Sequence, residues 1–143
     1  MVDSNACEGV VLPESILIVE DDSTIVDALS RFLDHEGYSI TSARDGKEAL
    51  DVLHQGVRPS VLLVDLMMPK MGGWDLIEHL KRDDSLSQIP VVVMSGYPRL
   101  FGPAKARDAN VPFVEKPFRL QDLLRTIRSV ARPSSSRWEI SRV

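Results

Sequence analysis

Three short apolar stretches limit the possible folds more than anything else in the chain: Ser15-Ile16-Leu17-Ile18-Val19, Val61-Leu62-Leu63-Val64 and Pro90-Val91-Val92-Val93-Met94. A strand with one wet face alternates apolar and polar residues, whereas a strand covered on both faces does not, and double coverage belongs to parallel α/β sheets. Each stretch stops abruptly in polar chemistry. Glu20-Asp21-Asp22 follows the first, Asp65 the second and Ser95 the third, and a last strand, Val111 to Glu115, runs into Lys116-Pro117. Ligands of open parallel sheets collect at the carboxyl ends of the strands, so these residues are the candidate site.

The intervening segments read as helices. Ile25, Ala28, Leu29, Phe32 and Leu33 share one helical face, and Gly37 follows as a C-terminal cap residue. Tyr38 to Ala43 half-alternates, as an edge strand does. Asp45-Gly46-Lys47-Glu48 has capping-box spacing and opens a helix through Ala49, Leu50 and Leu53. The loop after Asp65 carries Pro69, Gly72 and Gly73, which hold off helix until about Trp74; Leu76, Ile77 and Leu80 continue that face. Tyr97 to Asn110 should return through a helix interrupted by Pro98, Gly102 and Pro103. Leu120, Leu123, Leu124, Ile127 and Val130 mark the last one. Alternating strands and helices with right-handed crossovers predict a flavodoxin-like, doubly wound, five-stranded parallel sheet, order 2-1-3-4-5, with five helices. Residues 1–14 are expected to be a partly disordered leader, 15–132 the domain and 133–143 a tail.

A length of 143 residues fits a single domain. A net charge of -4 argues against a general nucleic-acid surface. Cys7 is the only cysteine and has no partner for an internal disulfide; no secretion signal or bilayer-length apolar run is present. The cytoplasm is the expected compartment.

Taken singly, each polar strand end has an ordinary explanation. Asp22 or Ser23 can cap a helix, an aspartate after a strand commonly forms a turn, and Lys-Pro is a common loop dipeptide. Capping leaves Glu20 and Asp21 unexplained, because crowded carboxylates cost free energy unless a cation sits among them. Mg²⁺ suits such hard oxygens and accepts phosphate oxygens as further ligands. Ser95 and Lys116 add a hydroxyl and a point charge for a tetrahedral anion. With Asp65 as nucleophile, the set describes phosphoryl transfer to a carboxylate.

From Ser15 to Arg132 the chain resembles the receiver domain of the two-component response regulator family. The resemblance rests on Ile16-Leu17-Ile18-Val19-Glu20-Asp21-Asp22, Val64-Asp65-Leu66-Met67-Met68-Pro69-Lys70-Met71-Gly72-Gly73, Val93-Met94-Ser95-Gly96 and Phe113-Val114-Glu115-Lys116-Pro117-Phe118. It implies that Asp65 is the phosphoacceptor and takes its phosphoryl group from a phosphohistidine on a sensor histidine kinase or histidine phosphotransfer protein. It implies Mg²⁺ held by Glu20, Asp21, Asp65 and the Met67 carbonyl, with phosphate oxygens on Ser95 and Lys116. Ser95 and Phe113 would form the switch, and the Lys116–Pro117 bond would be cis. Gly72 stands where the family commonly has aspartate, and Ser95 where it commonly has threonine. No output domain follows in the sequence, so action through a downstream protein partner is expected, without direct nucleic-acid or membrane binding, and a weak homodimer is compatible with the family. Three other readings compete: a pseudo-receiver that only binds partners, an aspartyl-phosphate hydrolase and a flavin carrier. Every catalytic position is filled, which disfavours the first. Met67 stands where the hydrolase needs a second acid, and the loop after the first strand is too acidic for a flavin phosphate.

Overall fold

The computed structural model describes residues 14–66, 71–96 and 111–131. Strands β1 (Ser15–Val19), β2 (Ser39–Ala43), β3 (Val61–Asp65), β4 (Val91–Ser95) and β5 (Phe113–Glu115) form one parallel sheet in the order β2-β1-β3-β4-β5. The described helices are α1 (Ser23–His35), α2 (Gly46–His54), α3 (Gly73–Arg82) and α4 (Leu120–Val130). This is the flavodoxin-like arrangement that the apolar runs predict. The interrupted helix expected between Tyr97 and Asn110 lies outside the described residues, as do residues 1–13 and the tail from 133. Among the described residues no helix is long and apolar enough to cross a membrane.

The unalternating strands are buried on both faces. Ile16, Ile18, Val61, Leu63, Val92 and Met94 pack beneath α1 and α4, against Leu29, Leu33, Leu123 and Ile127. Leu17, Val19, Leu62 and Val64 point the other way, onto Ala49 and Leu53 of α2 and Leu76 and Leu80 of α3. Burying each large side chain contributes about 1.5–3 kcal/mol, so these two layers hold the sheet and fix its register. β2 pairs only with β1 and exposes Ser39, Thr41 and Ser42, as an edge strand can. β5 starts at Phe113 rather than Val111, because Pro112 has no amide hydrogen for a ladder; its carbonyl still accepts from the Val93 N–H at 2.9 Å.

Local chemistry sets the helix ends. Asp22 caps α1 by accepting from the Thr24 and Ile25 amides at 2.9 and 3.4 Å. Asp45 accepts from the Glu48 amide at 2.8 Å, and the Glu48 carboxylate accepts from the Arg44 N–H at 2.6 Å, one residue beyond the cap amide of the usual reciprocal box. Gly37, at φ +101°, turns the chain out of α1 in a conformation that side chains rarely adopt.

Gly73 answers a different need. It sits in the first turn of α3, where an added Cβ would lie 2.8 Å from the Asp65 carbonyl oxygen and 2.9 Å from side-chain atoms of Val64 and Leu66. Only a hydrogen lets the helix start against the end of β3. Gly73→Ala is therefore expected to cost about 1–3 kcal/mol, read as a lower denaturant midpoint. Gly72→Ala, whose Cβ would meet nothing closer than 3.7 Å, should stay within about 0.5 kcal/mol of the parent.

Candidate functional site

Parallel strands put their carboxyl ends on one rim. Val19 lies opposite Val64 and Asp65 opposite Met94, so Glu20 is level with Asp65 on the neighbouring strand. Ser95 lies opposite Glu115, and the Lys116 amide donates to the Ser95 carbonyl at 2.8 Å, which pins the start of the last loop to β4. The Lys116–Pro117 peptide bond is cis.

Three carboxylates converge on this rim. Glu20, Asp21 and Asp65 each bring an oxygen within 4.8 Å of the others. Glu20 is 1% exposed and Asp65 4%, whereas Asp21 is open to solvent. The Lys116 ammonium spans the two buried acids, 3.0 Å from Glu20 Oε1 and 3.5 Å from Asp65 Oδ1. The second Glu20 oxygen, Oε2, accepts from the Asp22 N–H at 3.2 Å. An open cavity of about 890 Å³ reaches Glu20, Asp21, Asp65 and Lys116, and its outer walls are apolar, with Ile25 and Leu29 on one side and Phe118 and Leu120 on the other.

The predicted residues do not all meet in this cavity. Ser95 is fully buried at the end of β4 and does not line it. Phe113 is half-buried and packs against Leu66, Ile77 and Val93 beside Trp74. Met67 lies outside the described residues. Sequence reasoning missed the apolar walls and the Lys116–Glu20 bond, which joins residues 96 positions apart. The exposed Leu120 at the first position of α4 was the available signal for the walls.

Burial dominates the electrostatics of Glu20. Loss of water raises its pKa to about 7, and the nearby Asp65 charge adds to this; the Lys116 hydrogen bond opposes the rise without cancelling it. For Lys116, burial works against the charge, but the bond to Glu20 and the charges of Asp65 and Glu20 outweigh it and raise the ammonium above its usual range. A folded-state pKa of about 7 against 4.5 for an ordinary glutamate means that the folded protein holds an extra proton between those values. That stability is fully present below pH 4.5 and is lost as pH rises through 7. In chelator, unfolding free energy should fall by about 3 kcal/mol across this window, and Glu20→Gln should flatten the fall. Denaturant titrations at several pH values check both.

Among the described residues the donor set fits a hard divalent cation: three carboxylates, more negative charge than Lys116 alone can balance, and one acid open to water. The model of the response regulator receiver domain matches residues 16–128. The chain belongs to this family. Receiver domains are signalling modules of two-component systems, and this one has relatives across bacteria. The response regulator MprA of Mycobacterium sp. (strain KMS) is 32% identical over 125 residues, 87% of this chain and 53% of that protein. The receiver domain thus spans about half the length of the curated relatives it matches. Among solved structures, the signal receiver domain of a signal transduction histidine kinase from Syntrophus aciditrophicus superimposes with a TM-score of 0.72 at 31% identity, covering 85% of this chain and 96% of that one. The phosphorylated cyanobacterial phytochrome response regulator RcpA gives 0.70 at 26% identity, covering 83% and 91%.

Proposed function

We propose that this receiver domain is a phosphoacceptor of a two-component or phosphorelay system, with residues 15–132 as the working unit and Asp65 as the acceptor. In this reading an Asp65 carboxylate oxygen attacks the phosphorus of a phosphohistidine on a sensor histidine kinase or phosphotransfer protein. The new O–P bond forms as the P–N bond breaks, and the imidazole leaves with the electron pair and takes up a proton. The observation that carries the reading is the Lys116 ammonium placed between Glu20 and Asp65, beside Asp21.

Glu20, Asp21 and Asp65, with the Met67 carbonyl, are the proposed holders of Mg²⁺, which would offset the acids and polarise the phosphoryl oxygens. Lys116 and the Ser95 hydroxyl are proposed to bind phosphoryl oxygens, and Ser95 and Phe113 to relay the change outward. Phosphorylation adds about -1.5 to -2 charges, enough to bias a two-state surface toward a protein partner. That a relative was solved in its phosphorylated form supports the same chemistry here. The expected setting is the cytoplasm, with output through protein–protein contact.

The test is intact mass after incubation with Mg²⁺ and a small acyl phosphate. One acid-stable, base-labile phosphoryl adduct is expected, and none in EDTA. A folded protein that never gains it would act by binding alone.

A further inference from the structure

A second cavity opens at the amino ends of β4 and β5, at the opposite end of the sheet from the acids, and we propose that it is the docking site for the chain's own segment 132–143, entered by the Trp138 indole with Ile140 beside it. Neither the acids nor a phosphoryl group takes part, so this inference stands or falls apart from the phosphoacceptor reading.

The cavity is built for an apolar guest. Its volume is about 390 Å³, within the range of roughly 300–1,000 Å³ over which clefts hold organic groups. Ile77 and Leu80 of α3 form one wall, and Val91, Val111, Pro112 and Val130 form the other. Both strands are entered through a proline, Pro90 and Pro112, which have no N–H to offer. Their carbonyls serve the sheet, accepting from the Leu62 and Val93 amides at 2.8 and 2.9 Å. Val91, Val111 and Val130 are only half-buried, although Val92 and Val93 of the same sheet are fully buried. That leaves hydrocarbon which a guest would take out of water.

The occupant follows from where the chain goes next. Val130 is both a wall of the cavity and the last residue of α4. Ala131 is extended, at φ −61° and ψ 138°, and Pro133 is unsuited to continuing the helix, so the chain departs at the cavity's edge. A flexible link from Ala131 to Trp138 has a root-mean-square span of about 13–16 Å, and so short a tether gives an effective concentration of about millimolar. In Arg137-Trp138-Glu139-Ile140-Ser141 the apolar residues alternate with polar ones, which places Trp138 and Ile140 on one side of an extended chain. An indole pairs an apolar ring with a single N–H donor, and the exposed Ser87 and Gln88 at the edge of the cavity carry oxygens that can accept it. The exposed Leu120 beside the acids lies at the far end of α4, so the exit at Val130 favours the nearer cavity. The segment is then an intramolecular cover, and any protein that binds this end of the sheet must displace it.

The test is fluorine NMR of the full chain labelled with 5-fluorotryptophan, in which Trp74 and Trp138 give two signals and Trp138→Phe removes one of them. In the parent the Trp138 signal is expected to stand away from its position in urea, and to stay there on dilution from about 200 to about 20 µM, both well below the tethered concentration. Val111→Lys and Val130→Lys should each return it to the urea position while the Trp74 signal stays away from its own. Leu120→Gln should leave it unmoved. From the other side, Trp138→Ala should shift the amide signals of Val91, Val111 and Val130 and leave those of Val19 and Val64 in place. A parental Trp138 signal at the urea position, or amides that ignore Trp138→Ala, overturns the proposal. So does a Trp138 signal that moves on dilution, which would make a second copy the occupant, or one that Leu120→Gln releases, which would put the indole beside the acids. Folded lysine variants that keep the parental signal overturn it as well.

Discussion

Asp65→Asn is expected to take up no phosphoryl group from an acyl phosphate in Mg²⁺, and in chelator to be more stable than the parent by about 1 kcal/mol. Both effects come from one atom's charge. A carboxylate oxygen has lone pairs to give to phosphorus, whereas the amide of asparagine has delocalised its own and keeps almost the same shape. Among the described residues the site brings three acids to one lysine, and Asp65 is one of the two that are cut off from water. Removing it relieves Glu20, whose raised pKa is partly due to the Asp65 charge, and Lys116 keeps its shorter bond to Glu20. The fall of stability between pH 4.5 and 7 should therefore also become shallower. Intact mass and denaturant midpoints at two pH values check the prediction. An adduct of parental yield on the variant would move the acceptor elsewhere. A variant less stable than its parent would mean that Asp65 is held by more than the lysine.

How much of this was legible beforehand depends on the range of the interaction. Ile16 to Val19 and Val61 to Val64 announced their strands because burial on both faces leaves a mark in every residue. β2 was the weakest strand to read, since Ser39, Thr41 and Ser42 are exposed at an edge and any polar segment could supply them. The acids on the rim could be listed from strand ends alone, because parallel direction forces them to one side. Which oxygen Lys116 would choose could not, because half an ångström between Glu20 and Asp65 depends on packing and dryness. The paired glycines misled slightly. Gly72-Gly73 reads as a helix breaker, yet α3 begins at Gly73, whose missing side chain serves a close approach to β3 instead of a turn. Asp45 and Glu48 showed the converse: the spacing foretold a box, and the loop shape shifted its second bond to the Arg44 amide.

Lys116→Met is expected to cost about 3–5 kcal/mol at pH 8 in chelator, among the largest losses that any single side chain here can cause. The substitution keeps the length of the stem and removes only the charge that Glu20 and Asp65 share, leaving two carboxylates, 1% and 4% exposed, without the ammonium between them. Acid should rescue the variant. Glu20 is already raised to about 7 in the presence of the lysine, so without it the carboxyl is neutral at pH 5 and the repulsion falls to a small residue. Mg²⁺ should rescue it too, by mass action on the folded state. Phosphoryl uptake, in contrast, stays low under both rescues, because no ammonium remains to meet the transferred group. Denaturant midpoints at pH 5 and 8, each with EDTA and with Mg²⁺, separate these effects. A variant as stable as the parent at pH 8 in EDTA would show that water, not Lys116, balances the buried acids.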